Sequence, residues 1–290
     1  MMKSRSYLYI IAGAALWGFI GLFVKNLAAA GFTSLQIVAL RALTSSLCIT
    51  FVIAKYGWQY LKIDVKDCWM FIGTGIISLV FFNYCYFSCM QSASLAVAAL
   101  LLYTAPIFVM LLSLLLFGER FTLLKGLALL CTFTGCAFVT GAFSSQLTLS
   151  FSALLFGLGS GLGYALYSIF GKYAVHKYSS LTITAYTFYF SVLGSVPLAG
   201  FNSDTLAKIN LDTIISSFGL ALVCAVIPYL LYTKGLEQVE AGQASILATI
   251  EPFVAAAIGI LYFGEPFTLS KACGMALIFA SIVILNLPRK

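Results

Sequence analysis

Residues 249–268 read TIEPFVAAAIGILYFGEPFT, and residues 103–122 read YTAPIFVMLLSLLLFGERFT. The two stretches share a proline, an apolar run and the ending Phe-Gly-Glu-x-Phe-Thr. They differ at a costly place: Ala105 in the first is Glu251 in the second. Extending the alignment outward keeps the match. At an offset of 146, Tyr86 meets Tyr232, Ala98 meets Ala244, Leu101 meets Leu247, Pro106 meets Pro252, and Lys125 meets Lys271. Nearer the start of each copy the offset is 147, where Trp17 faces Tyr164 and Lys25 faces Lys172. The chain is therefore read as one unit used twice, residues 1–146 and 147–290.

Composition says what medium the unit lives in. The 290 residues are 62% hydrophobic and 9% charged, with a mean hydropathy of +1.04. A soluble domain carries about 25% charged residues, so this chain lacks the polar surface for water and belongs to the membrane class. The net charge of +7 does not point to nucleic acid. Its basic residues stand singly between apolar runs and form no patch or arm. None of the eight cysteines stands in a Cys-x-x-Cys motif; they read as small apolar residues of packed helices, and disulfides are not indicated. The apolar start behind Lys3 and Arg5 continues to Val24, which reads as a retained helix rather than a signal peptide.

A spanning helix needs about 20 apolar residues. Ten runs qualify, at 7–24, 34–54, 68–89, 92–117, 123–142, 151–173, 181–200, 212–234, 242–263 and 269–287. The expected fold is all-α and integral to the membrane, with ten transmembrane helices in two five-helix repeats. With ten spans both termini share a side. That side collects Lys3, Arg5, Lys55, Lys62, Lys66, Arg120, Lys125, Lys172, Lys177, Lys234, Arg289 and Lys290. The other has Lys25, Lys208 and Lys271, and Arg41 lies inside a span. The positive-inside rule then puts both termini in the cytoplasm of a cell-membrane protein. Because five is odd, the second repeat enters the bilayer upside down. Inverted repeats of this kind are common in secondary transporters, with the substrate near the midplane between them.

The whole chain resembles the ten-helix EamA family of the drug/metabolite transporter superfamily. The resemblance rests on Leu16-Trp17-Gly18 with Lys25, on Arg41, on residues 94–120 ending Leu-Phe-Gly-Glu-Arg, and on Glu251-Pro252-Phe253 with Gly264-Glu265. It implies a carrier of amino acids or other metabolites, working in either direction. Pro266 departs from the pattern, since Arg120 stands there in the first copy and a basic residue is usual.

Two charges fall inside spans. A charge at a helix centre costs about 2.5–3.5 kcal/mol on insertion scales, and such groups generally face a cavity or a partner. Glu251 reads as a proton or cation site, as a contact to a substrate amine, or as a structural glutamate bonded to backbone freed by Pro252. Arg41 reads as a partner for a substrate carboxylate or for Glu251, or as a structural group. Pro106 and Pro252 are expected mid-helix, leaving the carbonyls of Leu102 and Ala248 without their usual donors. They are candidates for hinges or cavity lining. Trp17, Tyr86, Tyr164 and Tyr232, with Asn83, are further candidates for binding, since aromatic faces hold amines by cation–π contact. Gly157, Gly159, Gly161 and Gly163 are expected at a close helix contact, within the monomer or at a homodimer face. Lys25, Lys172 and Lys234 are expected to snorkel, Glu119 and Glu265 to pack loops, and His176 to be solvated.

No Gly-x-x-x-x-Gly-Lys-Ser/Thr loop is present, so ATP is not the direct driver. No cofactor, metal or catalytic triad is expected, and the chain is not read as an enzyme. The leading reading is a secondary-active transporter of a small polar or amphipathic metabolite, with protons as a candidate coupling ion. The alternatives are a membrane receptor or assembly subunit without transport, or an enzyme acting on a lipid-soluble substrate.

Overall fold

A computed structural model describes residues 2–93, 95–142 and 150–286. The side chain of Lys3, the residues Arg289 and Lys290, and the repeat boundary at 146/147 lie outside the described residues. Every regular element among the described residues is helical. In chain order these are α1 (Met2–Trp17), α2 (Ile20–Ala29), α3 (Ser34–Tyr56), α4 (Val65–Ser92), α5 (Leu95–Leu102), α6 (Ala105–Phe117), α7 (Leu123–Thr140), α8 (Phe151–Ala174), α9 (Ser180–Ser195), α10 (Leu211–Leu236), α11 (Ala241–Leu247), α12 (Ile250–Leu261) and α13 (Leu269–Asn286). Short helices, Trp58–Leu61 and Ser203–Ala207, precede α4 and α10.

Among the described residues, eight stretches are long and apolar enough to cross a membrane, and Leu269–Leu285 is a shorter ninth. The run expected at 181–200 forms only the sixteen residues of α9. Its buried face carries Thr182, Thr184, Thr187, Ser191 and Ser195, and it packs against α3 and α4. At 1.5 Å per residue it is about 24 Å long, short of the roughly 30 Å hydrocarbon core. The first span runs from Arg5 to Ala29, past the expected end at 24, and is broken at Gly18-Phe19.

The helix starts follow the polar residues that precede them. Thr33 with Gln36 forms a capping box on α3, and Ser150, Ser179 and Asn210 accept from backbone N–H groups at the starts of α8, α9 and α10. These side chains satisfy donors that the first turn leaves unpaired.

The duplicated stretch is a shared piece of geometry. In both copies the helix is interrupted by a two-residue turn, at Tyr103-Thr104 and at Ala248-Thr249. The prolines are therefore not mid-helix, as expected from the uninterrupted runs. Pro106 and Pro252 occupy the first turns of α6 and α12, where a missing N–H costs nothing. Nor is the Ala248 carbonyl left without a donor: it accepts from the Glu251 N–H at 3.1 Å. At the other end Gly118 and Gly264 adopt φ of +64° and +67°, the left-handed C-cap that glycine favours. The next residue's N–H then bonds back six positions, Glu119 to Ser113 at 3.2 Å and Glu265 to Gly259 at 3.0 Å. The recurrence of Phe-Gly-Glu is thus the recurrence of a helix stop.

A second paired feature lies in α4 and α10. Residues Gly73–Val80 and Leu222–Val226 are π-helical, at corresponding places in the two repeats. In α10 the stretch ends immediately before Ile227-Pro228, and a proline that removes an i→i−4 bond accounts for the widened turn.

Helix α8 is the central packing element. A Cβ on Gly161 would stand 2.4 Å from Thr104 Oγ1 and 2.9 Å from the Leu101 carbonyl, and one on Gly163 would stand 2.9 Å from Phe82 Cα. The glycine row thus packs against α4 and the α5–α6 break within the monomer, by close backbone approach.

Candidate functional site

Glu251 sits in the first turn of α12, directly after the Ala248-Thr249 break. Tyr164 of α8 donates its hydroxyl to Glu251 Oε2 at 3.0 Å. The carboxylate lines a cavity of about 10 Å³ together with Tyr103, Ala105, Pro106, Tyr164, Ser168 and Thr249, near the lower limit for one water. Ala105, its counterpart in the first repeat, is part of the same wall.

Tyr164 also lines a second cavity of about 10 Å³, walled by Trp17, Ser78, Phe82, Tyr167, Tyr229 and Tyr232 among others. Trp17 meets Tyr164 and Tyr229 edge-on at 6.2 and 5.2 Å between ring centroids, and Tyr232 at a tilt at 5.3 Å. The repeat mates Trp17 and Tyr164 therefore touch, at the seam between the halves. The hydroxyls of this aromatic box are occupied: Tyr232 pairs with Ser168 and Tyr167 with Thr233, each at 2.7 Å.

Above the carboxylate lies a vestibule of about 600 Å³, within the range of small-molecule sites. Tyr103 lines both it and the Glu251 cavity. The vestibule walls include Gly18, Tyr86, Ala96, Pro252 and Phe263, and its mouth carries Lys25, Glu265 and Lys271. Glu265 is exposed there, and Lys25 ends the span that begins near the N-terminus. The vestibule therefore opens at the end of the bundle opposite the N-terminus.

The other end is closed by polar bonds, some within a repeat and some between the two. Glu119 accepts from the N–H groups of Ala241 and Gly242 at 2.7 and 3.1 Å, capping α11. Lys172 donates to the carbonyls of Leu236 and Val239 at 2.7 and 2.8 Å. Lys125, counted from the sequence among the cytoplasmic-side cations, is buried, with its ammonium 2.6 Å from Glu240 and donating to the Arg120 carbonyl. Outside the membrane, Lys177 bridges Asp64 and Asp67 at 2.5 Å each, and Tyr178 donates to Asp67. Hydrogen bonds to the two aspartates raise the Lys177 pKa.

The remaining candidates disperse. Arg41 lies beside Tyr229, and no ion pair joins it to Glu251 among the described residues. Asn83 turns to its own helix and donates to the Leu79 carbonyl at 2.6 Å. Tyr86 faces the vestibule, Pro106 lines the Glu251 cavity and Pro252 the vestibule. Lys234 pairs with Glu237 at 2.8 Å and His176 is exposed. Tyr103, Ser168 and Tyr229 were not singled out by sequence. An aromatic residue in an apolar run carries no mark that separates a cavity wall from a lipid face.

The profile of the EamA-like transporter family matches residues 4–141 and again residues 151–287. The chain belongs to the EamA-like transporter family. It is 32% identical over 279 residues to an uncharacterized transporter of Archaeoglobus fulgidus, covering 95% of this chain and 94% of that one. It is similar to the uncharacterized transporter YwfM of Bacillus subtilis, at 24% identity over all of this chain and 97% of the relative. The inner membrane transporter YicL of Salmonella typhimurium, also uncharacterized, is 23% identical over 98% and 95% of the two chains. A crystal structure superposes with a TM-score of 0.83 at 16% identity, covering 98% of this chain and 96% of the other, which shows a shared fold. The protein is a multi-pass membrane protein of a transporter family, and the names of its relatives point to transport rather than to enzymatic chemistry.

Proposed function

We propose that the protein is a secondary-active transporter of a small polar or amphipathic metabolite, an amino acid or similar compound, coupled to protons through Glu251. The repeats 1–146 and 147–290 rock about the aromatic seam, so that the midplane site faces one side and then the other. The termini lie in the cytoplasm, and the vestibule faces outward in this conformation. The carrier works as a monomer or homodimer in the cell membrane.

The observation that carries this reading is the place of Glu251. It is the one acidic side chain near the middle of a membrane-crossing stretch, it holds a hydroxyl donor, and its cavity shares Tyr103 with a vestibule open at one end. Such a carboxyl can lose and regain one proton as the site changes sides. Trp17, Tyr86, Tyr164 and Tyr232 supply aromatic faces for an amine or an apolar side chain. Arg41, beside Tyr229, is the cation within reach of a substrate carboxylate, while Asn83 contributes through the backbone of α4. Pro106 and Pro252, at the matched breaks, are the hinges.

Screening the purified protein for a raised Tm against amino acids and small amines identifies ligands, because a ligand that binds the folded state stabilises it by mass action. Counterflow of each hit in proteoliposomes then tests transport. Stabilisation without counterflow would favour a receptor over a carrier.

A further inference from the structure

The closed end of the molecule shows how the open end shuts. Glu119 and Lys172 both bind the chain leading into α11: Glu119 takes the N–H groups of Ala241 and Gly242, and Lys172 takes the carbonyls of Leu236 and Val239. Each of these residues has a mate in the other repeat. Glu119 matches Glu265 and Lys172 matches Lys25. Ala241 and Gly242 match Leu95 and Ala96, at the start of α5, while Leu236 and Val239 match Met90 and Ala93, at the end of α4.

At the open end the mates are apart but face one another. Lys25, Glu265 and Ala96 all line the vestibule. Lys25 is parked with its Nζ 3.4 Å from the centroid of the Phe263 ring, and Glu265 is 2.9 Å from the Lys271 ammonium. Both groups are thus engaged by neighbours of their own, while Ala96 of the counterpart backbone lines the same vestibule.

We propose that Lys25 and Glu265 are the outer gate: when the vestibule closes, Glu265 caps the N–H groups of Leu95 and Ala96, and Lys25 binds the carbonyls of Met90 and Ala93. This rests on the alternating-access reading above and names the groups that carry it out. The two ends are not equal. A Cβ on Gly242 would stand 3.2 Å from Glu119 Oε2, so glycine permits the inner carboxylate its close approach. At the outer end Ala96 already has that Cβ. The outer gate then closes less tightly than the inner one, in keeping with a vestibule open at that end.

The test is a distance measurement between spin labels on Gln91→Cys and Tyr262→Cys, both exposed beside the mouth. The protein is in lipid vesicles, with the accessible Cys68, Cys131 and Cys273 replaced by alanine. Wild type should show a long, open distance and a minor short one. Glu265→Gln and Lys25→Met should each lower the short-distance share roughly fivefold, as expected for losing one charge-assisted hydrogen bond near water. Ala96→Gly, which supplies the glycine found at Gly242, and Glu119→Gln, which loosens the inner end, should each raise it. Gain in the last two variants cannot come from misfolding. A short-distance population indifferent to Lys25, Glu265 and Ala96 overturns the gate and leaves alternating access standing. The lack of any short-distance population, even in Glu119→Gln, overturns both.

Discussion

The Tyr164 hydroxyl donates to Glu251 Oε2 at 3.0 Å, tying the central helix α8 to the first turn of α12 where the span is broken. In Tyr164→Phe the ring keeps its packing on Trp17 and Phe82, and the carboxyl loses its donor. The expected cost is about 1–3 kcal/mol, that of a buried acceptor left unmade. It is read as a lower Tm together with reduced transport. An unchanged Tm and unchanged flux would show that this bond holds nothing.

The buried ion pair at the closed end gives an asymmetric prediction. The Lys125 side chain is 3% exposed and that of Glu240 39%. Glu240→Ala strands an ammonium with only the Arg120 carbonyl, and costs about 2–4 kcal/mol. Lys125→Met fills the same space without charge, and Glu240, its side chain already 39% exposed, turns its buried Oε2 outward to water, costing less than about 1 kcal/mol. Chemical denaturation in detergent compares the two; equal losses would contradict the account.

Two glycines of α8 should respond oppositely to one methyl group. Gly161→Ala brings a Cβ to 2.9 Å from the Leu101 carbonyl, an overpacking against backbone worth about 1–3 kcal/mol of destabilisation. Gly171→Ala meets only the Leu236 Cδ1 at 3.4 Å and gains about 0.5–1 kcal/mol from helix propensity. The measured Tm should fall for the first and hold or rise for the second.

Much of this arrangement was legible in the sequence, and the failures have physical causes. The repeat, the helix stop at Gly118-Glu119 and Gly264-Glu265, and the isolated Glu251 all show in local residue types. The breaks at Tyr103-Thr104 and Ala248-Thr249 do not. Proline forbids a bond at one place but does not say whether the helix bends there or starts afresh. Helix α9 reads as a twenty-residue span because its neighbours are apolar, although its row of threonines and serines is buried against α3 and α4. Lys125 reads only as one more cytoplasmic-side cation because its partner Glu240 comes from the other repeat. The vestibule wall at Tyr103 is likewise set by which helices meet, which periodicity does not encode.

The strap outside the membrane fixes where pH effects do not arise. The Lys177 pKa is raised by bonding to Asp64 and Asp67. A raised pKa contributes stability in full below the ordinary lysine value of about 10.4, and loses it as pH climbs through the raised value. The Tm difference between wild type and Lys177→Met should therefore be constant from about pH 6 to pH 9 and shrink in stronger alkali. It should also shrink with added salt, since the group is exposed. A difference that changes across neutral pH would contradict the bridge.

The central claim is that Glu251 carries the proton. Its direct test is the pH dependence of counterflow in proteoliposomes, comparing wild type with Glu251→Gln for a ligand found by the stability screen. The prediction is a wild-type flux that varies with pH near neutrality and a Glu251→Gln flux that is flat, in a protein whose Tm shows it folded. A Glu251→Gln variant that keeps the wild-type pH profile would contradict it.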